Sequence, residues 1–522
     1  MREKEGLFDL PESWSWTIAS EVCASVRDGT HDTPKYVEKG IPLITSKNLR
    51  EGELDFSTAK FISLEDHQQI SIRSGVEDGD VLFAMIGTVG NPVLVKADKE
   101  FSIKNVGLFK KNDFVIDSRY LKFWLSSFTL DKLIEKQSLL KGTTQKFVPL
   151  GNLRNLPTPL PPLNEQRRIV AKIEALKARS QRVKEEIEAI PALLDQFRQS
   201  VLAAAFRGDL TADWREKNPD VEPASVLLEH TQKAKDNFLE KHQQLSTVQH
   251  DDLPELPDSW TWAVTENLSK FESNAICAGP FGTIFKAKDF RDSGIPIIFL
   301  RHVGEGKYLT DKPGFMDIDK WEELFKPYSV WGGELLITKL GEPPGSCAIY
   351  PEDIGPAMVT PDVIKMSVNT EVALKHYLMY YFNSATSKKI AFGVAYGVTR
   401  LRMNLSIFRK LPIPLAPLLE QQEITRQVQI LYRIADQVEQ QYKEAKSHLD
   451  QLNQSILAKA FRGELVPQDP NDEPASVLLE RIRAEREKLD TRKKAKGKTE
   501  KKNCKAKPEA TEPKQLSLPG FE

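Results

Sequence analysis

Two short polar loops carry the side chains of this chain best suited to reading the edge of a nucleic-acid base. Gly142-Thr143-Thr144-Gln145-Lys146 stands just before one proline-rich stretch, and Gly397-Val398-Thr399-Arg400-Leu401-Arg402 just before another. Arginine and lysine match guanine, asparagine and glutamine match adenine, and threonine suits either or the thymine methyl. A second polar set precedes each loop: the turn Asp28 to Pro34, with Thr30 and His31, and then Lys47-Asn48; later in the chain come Arg301-His302 and Lys339. Any one of these residues could equally be part of a solvated loop. Their recurrence at equivalent places in two halves of the chain favours contact with DNA, in which lysines and arginines hold phosphates and polar groups read bases. The candidate contact residues are therefore Thr30, His31, Lys47, Asn48, Thr143, Thr144, Gln145, Lys146, Arg301, His302, Lys339, Arg400 and Arg402.

Other chemistry is missing from the sequence. It has no GxxxxGK[ST] phosphate loop, no GxGxxG cofactor loop after a strand, and neither HExxH nor GxSxG. Pro257-Asp258 with Glu305-Gly306-Lys307 matches a nuclease pattern only loosely. The histidines are dispersed. Cys23, Cys277, Cys347 and Cys504 form no CxxC pair, so neither a disulfide framework nor a zinc site is expected, and a reducing cytoplasm fits best. No apolar run is long enough to span a membrane. No cofactor or metal is expected in this chain.

The elements that must position the loops are written twice. Leu10-Pro-Glu-Ser-Trp-Ser-Trp16 returns as Leu256-Pro-Asp-Ser-Trp-Thr-Trp262. Residues 193–210 return 255 positions later with 12 identities in 18. Glu222-Pro-Ala-Ser-Val-Leu-Leu-Glu229 returns unchanged at 473–480. So long a period is a repeated domain plus helix, not a solenoid. Residues 1–162 and 256–417 are two heads, with strands expected at Ile41–Ile44, Gly79–Phe83 and Pro92–Val95, and each ends in a proline-stiffened extended connector. A long helix follows each head, over 163–208 and 418–463, with Asn164 as N-cap and Gly208 as stop for the first. Both carry an apolar seam at alternating steps of four and three, which predicts an antiparallel coiled coil about 63 Å long per helix, kinked at Pro191. A linker, 209–255, joins the halves, and 464–522 holds a short helix and a tail. The expected class is α+β: two α/β-type heads separated by two long helices in a pseudo-two-fold repeat.

Net charge is -1, yet residues 483–507 hold 12 Lys/Arg against 4 Asp/Glu, which leaves the rest of the chain near -9. A DNA-binding surface must therefore be local. The tail reads as disordered, either solubilising or a sequence-independent DNA tether.

Two variable heads, each closing in LPxPLxPLxEQ (Leu156 to Gln166, Leu411 to Gln421) and a long helix, resemble the specificity subunit of type I restriction–modification systems. The turn Asp28 to Pro34 with Gly40 to Asn48 has that family's look, and the likeness runs from about residue 5 to 482. Arg301-His302 stands where head one has Lys47-Asn48, so the heads are not expected to share a base preference. The resemblance implies a non-catalytic subunit whose two target-recognition domains read the two parts of a split, asymmetric DNA target. It implies helices that set the spacing and dock two modification subunits, which carry S-adenosylmethionine and methylate adenine. Two restriction subunits, ATP- and magnesium-dependent translocases with a nuclease, would complete the complex. The alternative is a coiled-coil scaffold with two protein-binding heads.

Overall fold

The computed structural model describes residues 8–96, 98–142, 145–239, 245–248, 253–280, 285–396 and 401–488. The chain divides into two compact units, residues 1–186 with 445–522 and residues 187–444. Each head thus shares a unit with the end of the long helix contributed by the other half of the sequence.

In the first unit, head one has a four-stranded antiparallel sheet in the order Val26–Asp28, Val106–Phe109, Val81–Ala84, Gly90–Leu94. Beside it lies a three-stranded sheet in which Ile41–Ile44 runs antiparallel to Lys60–Ile62 and parallel to Ser102–Ile103. The helices Ser118–Leu125 and Phe128–Lys136 follow. In the second unit, head two repeats the larger sheet as Ile276–Ala278, Val363–Met366, Leu335–Thr338, Cys347–Ile349. It widens the smaller one to five strands by adding Phe290–Arg291 and Ser329–Val330 at its edges. The α+β class therefore holds, and the parallel component shrinks to one short pair per head.

The proline connectors are buried strands. Pro157–Leu160 pairs antiparallel with Ser15–Ile18, and Pro412–Leu415 with Thr261–Val264. Proline has no N–H to offer and its carbonyls still need donors. Aromatic side chains supply them. Tyr120 donates its hydroxyl to Pro159 O and Trp124 its indole N–H to Pro157 O, at 2.8 and 2.9 Å. Tyr377 and Tyr381 do the same for Pro414 and Pro412. The glutamine of each Glu-Gln pair locks the connector to its helix. Fully buried Gln166 accepts from Asp117 N–H and donates to Val115 and Pro161 carbonyls; Gln421 accepts from Leu374 N–H and donates to Val372 and Ala416 carbonyls.

The repeated motifs converge. Gly208 and Gly463 end their helices with φ of 85° and 76°, the left-handed conformation that favours glycine. A Cβ at either would also strike a proline of the Trp-x-Trp motif, Pro257 or Pro11. Ala224 and Ala475, in the duplicated octapeptide, donate to Ser259 O and Ser13 O, both at 2.9 Å. The repeated residues thus build the joint between each head and the incoming helix end.

The first long helix is two helices, Leu163–Ile187 and Ile190–Arg207, because Pro191 opens a new helix instead of bending one. Position 446 is lysine, and Leu418–Phe461 runs unbroken. Asn164 lies inside the first turn and not at its cap; its amide donates to Asp472 Oδ1 at 3.2 Å. Charged contacts tie the long helices to the other half of the chain within each unit: Arg168 meets Asp472, just past the end of the second long helix, in one, and Arg198 meets Asp436 and Glu439 of that helix in the other. The apolar seam is buried at Ile169, Ile173, Ile424, Val428 and Ile456, and exposed at Val183, Phe197 and Leu452. Among the described residues no helix is long and apolar enough to cross a membrane.

Glu439 accepts from Lys443 and from Arg198, both at 2.8 Å, and these contacts hold its carboxyl down to about 2. A depressed folded-state value contributes stability that is present above the ordinary 4.5 and is lost as pH falls towards about 2. Glu439→Gln is therefore expected to flatten the acid limb of the second unit in that window. Thermal unfolding recorded from pH 5 to pH 2 checks this, and parallel limbs for the two proteins would refute it.

Candidate nucleic-acid interface

Head one presents a concavity of about 540 Å³, opening between the smaller sheet and the loop before the connector. Lys47, Arg50, Lys60 and Lys104 line it, together with Tyr36, Asn105 and Gln145, and among the described residues no carboxylate does. Lys60 Nζ sits 4.4 Å from the centroid of the exposed Tyr36 ring. Four cations beside an exposed aromatic and two amides suit a phosphate backbone and the bases next to it. Thr30 and His31 adjoin the same face. Thr30 bridges Lys104, and His31 spans Asn105 and Asp28 at 2.9 and 3.0 Å.

Asn48 also lines this concavity, but its amide has a structural task. It is 3% exposed, and its amide is fully occupied: Oδ1 accepts from Thr45 N–H and hydroxyl, and Nδ2 donates to Asp55 O and Thr58 Oγ1. His302 is 2% exposed and closes the equivalent turn, with Nδ1 accepting from Phe299 N–H and Nε2 directed at Asp311 O. Burial lowers its pKa, which keeps the ring neutral as this pairing requires. Asn48 and His302 are thus turn-closing residues with no edge left for a base. The differing neighbours Lys47 and Arg301 are exposed. Arg301 rests 4.2 Å over the Phe299 ring and donates to Lys312 O.

In head two Lys339 follows the strand Leu335–Thr338 and its carbonyl accepts from Met403 N–H, next to Arg402. Burial lowers the Lys339 ammonium below its usual range, and the charge of Arg402 adds to this. The exposed Gln145 and Lys146 occupy the corresponding loop of head one. Thr143, Thr144, Arg400 and the basic tail beyond 488 lie outside the described residues. Sequence reasoning missed Tyr36, Lys60 and the adjacent Lys104 and Asn105, which come from three stretches that share no spacing pattern.

Cys23, Cys277 and Cys347 are buried free thiols. Burial pushes Cys23 up to about 12 and Cys277 up to about 11, so neither is a thiolate at neutral pH.

A family model described as type I restriction modification DNA specificity domain matches residues 21–192 and again 282–446. The chain is 25% identical over 503 residues to the EcoKI type I restriction enzyme specificity subunit of Escherichia coli strain K12, covering 91% of this chain and 96% of that protein. It is 27% identical over 410 residues to the EcoDI specificity subunit of Escherichia coli, covering 76% and 84%. One solved structure, from work on assembly and conformational transition of the type I R-M system, superposes with a TM-score of 0.59 at 19% identity. It covers 88% of this chain and 100% of that one.

Proposed function

This chain belongs to the family of type I restriction–modification specificity subunits, and from that membership we propose that it selects a two-part, asymmetric DNA target and catalyses nothing itself. Head one reads one half-site and head two the other. The long helices set the spacer between half-sites, about one turn of duplex or somewhat more, a turn being roughly 34 Å. They also dock two modification subunits. Those subunits bring S-adenosylmethionine and flip the target adenine out of the stack. Two restriction subunits bring ATP- and magnesium-dependent translocation and cleavage. The complex works in the cytoplasm.

One observation supports this reading above the rest. The two heads share a backbone frame while the exposed side chains on it differ: Lys47 against Arg301, Phe147 against Arg402. A frame kept constant under changed contact residues is what two different half-sites require. The test is to express the chain with its modification subunits and map methylated adenines across a genome. The expected result is one motif of two defined parts separated by a fixed number of unspecified bases. Methylation with no motif, or with a single contiguous motif, would overturn the reading.

A further inference from the structure

Residue 402 is held by backbone hydrogen bonds on both sides in a loop of head two, and head one holds its counterpart in the same way. Phe147 and Lys141 exchange both backbone hydrogen bonds, at 2.8 and 2.9 Å. Gly87 N–H reaches Lys146 O at 3.1 Å and Val148 N–H reaches Met85 O at 2.9 Å. In head two, Arg402 and Tyr396 exchange both bonds at 2.8 and 3.1 Å. Gly341 N–H reaches Leu401 O at 3.4 Å and Met403 N–H reaches Lys339 O at 2.9 Å. Position 147 or 402 is therefore the middle of three backbone segments, fixed on both sides.

Residues paired across an antiparallel bridge point to one face. On that face head one carries Lys141 and Phe147, and head two carries Tyr396 and Arg402. Each has one cation and one aromatic, in opposite order. The exchange moves the cation by roughly 5.5 Å, the Cα separation of a hydrogen-bonded antiparallel pair. That exceeds the roughly 3.4 Å between successive bases of a strand. Ile86, bridged to Phe147, and Gln145 both line the basic concavity of head one, so this face belongs to the candidate interface.

We propose that Arg402 reads a guanine in the half-site of head two, its guanidinium donating to O6 and N7 in the major groove. Phe147, on the same backbone position, meets a thymine methyl in the half-site of head one. A phosphate contact needs only charge, whereas a two-pronged base contact needs the fork of arginine on a fixed backbone, and the doubly held position supplies one. The assignment rests on the two-part reading above.

The test uses the full complex with its modification subunits, carrying Arg402→Lys, Arg402→Gln or Phe147→Ala, with methylated adenines mapped for each. Arg402→Gln is expected to relax one G·C position in one half of the motif, with discrimination there falling roughly 10- to 100-fold. The other half and the spacer stay as they were. Phe147→Ala relaxes a T·A position in the opposite half. Lysine can still donate to guanine without the fork, so Arg402→Lys is expected to keep the base with weaker discrimination, whereas a wild-type motif from Arg402→Gln would overturn the base assignment. An even loss of methylation from Arg402→Gln, with no position relaxed, would overturn it as well. Wild-type protein without a two-part motif would remove the underlying reading, a distinct failure. Arg402 is exposed, so unchanged melting of the variants confirms that the fold is intact.

Discussion

Glu420→Ala is expected to destabilise the second unit by about 3–5 kcal/mol, the usual cost of removing one partner from a buried ion pair. The carboxylate is fully buried. Oε1 accepts from Thr211 Oγ1 at 2.6 Å and from Arg215 at 2.5 Å, and Oε2 accepts the Trp260 indole N–H at 2.9 Å. Alanine would leave a guanidinium and an indole N–H without that acceptor in a closed site, although Arg215 keeps Gly208 O at 2.6 Å. Glu420→Gln retains shape and one acceptor, and should recover part of the loss. The same Glu-Gln pair in the first unit behaves differently. Glu165 is also buried, but it takes the neutral amide of Gln468 at 2.6 Å, while the nearby Arg168 is committed to Asp472. Burial raises the Glu165 pKa, so its charged form is disfavoured by the fold. Glu165→Gln should consequently cost little, about 1 kcal/mol or less, since the amide keeps the shape and the acceptor for Gln468 and removes a charge that burial disfavours. Chemical unfolding of Glu420→Ala, Glu420→Gln, Glu165→Gln and Glu165→Ala, followed by tryptophan fluorescence, measures the difference. Equal losses for Glu420→Ala and Glu165→Ala would refute the role of Arg215.

That contrast shows what could and could not be read from the chain. The repeat, the long helices, the extended connectors and the joint motifs were legible because local spacing and duplication encode them. The partners of Glu165 and Glu420 were not, because Gln468 and Arg215 come from unrepeated positions that only the fold brings near. The break at 188–189 was foreseeable as a kink at Pro191, but whether a proline bends a helix or starts a new one depends on the packing around it. Asn48 and His302 misled for a chemical reason. The donor and acceptor that suit a base edge also suit the backbone of a tight turn, and side-chain type alone does not separate the two uses. A positional cue was present in retrospect: each residue follows a strand by four positions and precedes a turn. The concave face of head one was legible only in part. Lys47 and Gln145 stood out beside polar neighbours, while Lys60 and Lys104 are single lysines within strand-like sequence.

The joint between helix end and head carries the second large effect. Phe461 is fully buried, with its ring edge-on to Tyr120 at 5.4 Å and to Trp124 at 5.1 Å between centroids. Phe206 repeats the arrangement with Tyr377 and Tyr381 at 5.3 and 5.1 Å. Those aromatics also supply the hydrogen bonds that the proline connectors lack, so each phenylalanine steadies the groups that hold a connector in place. Phe461→Ala is expected to cost the first unit about 3–5 kcal/mol from lost burial and the remaining cavity. Phe206→Ala should do the same to the second unit. The two lie in different units and share no aromatic partner, so the double variant should lose the sum to within roughly half a kcal/mol. Native-state hydrogen exchange resolves the effect by region. Phe461→Ala should raise exchange over Pro157–Leu160 and leave Pro412–Leu415 unchanged, and Phe206→Ala should do the reverse. If either variant loosened both connectors alike, each head could not be closed by the helix end of the other half alone, and the repeated motifs would need another explanation.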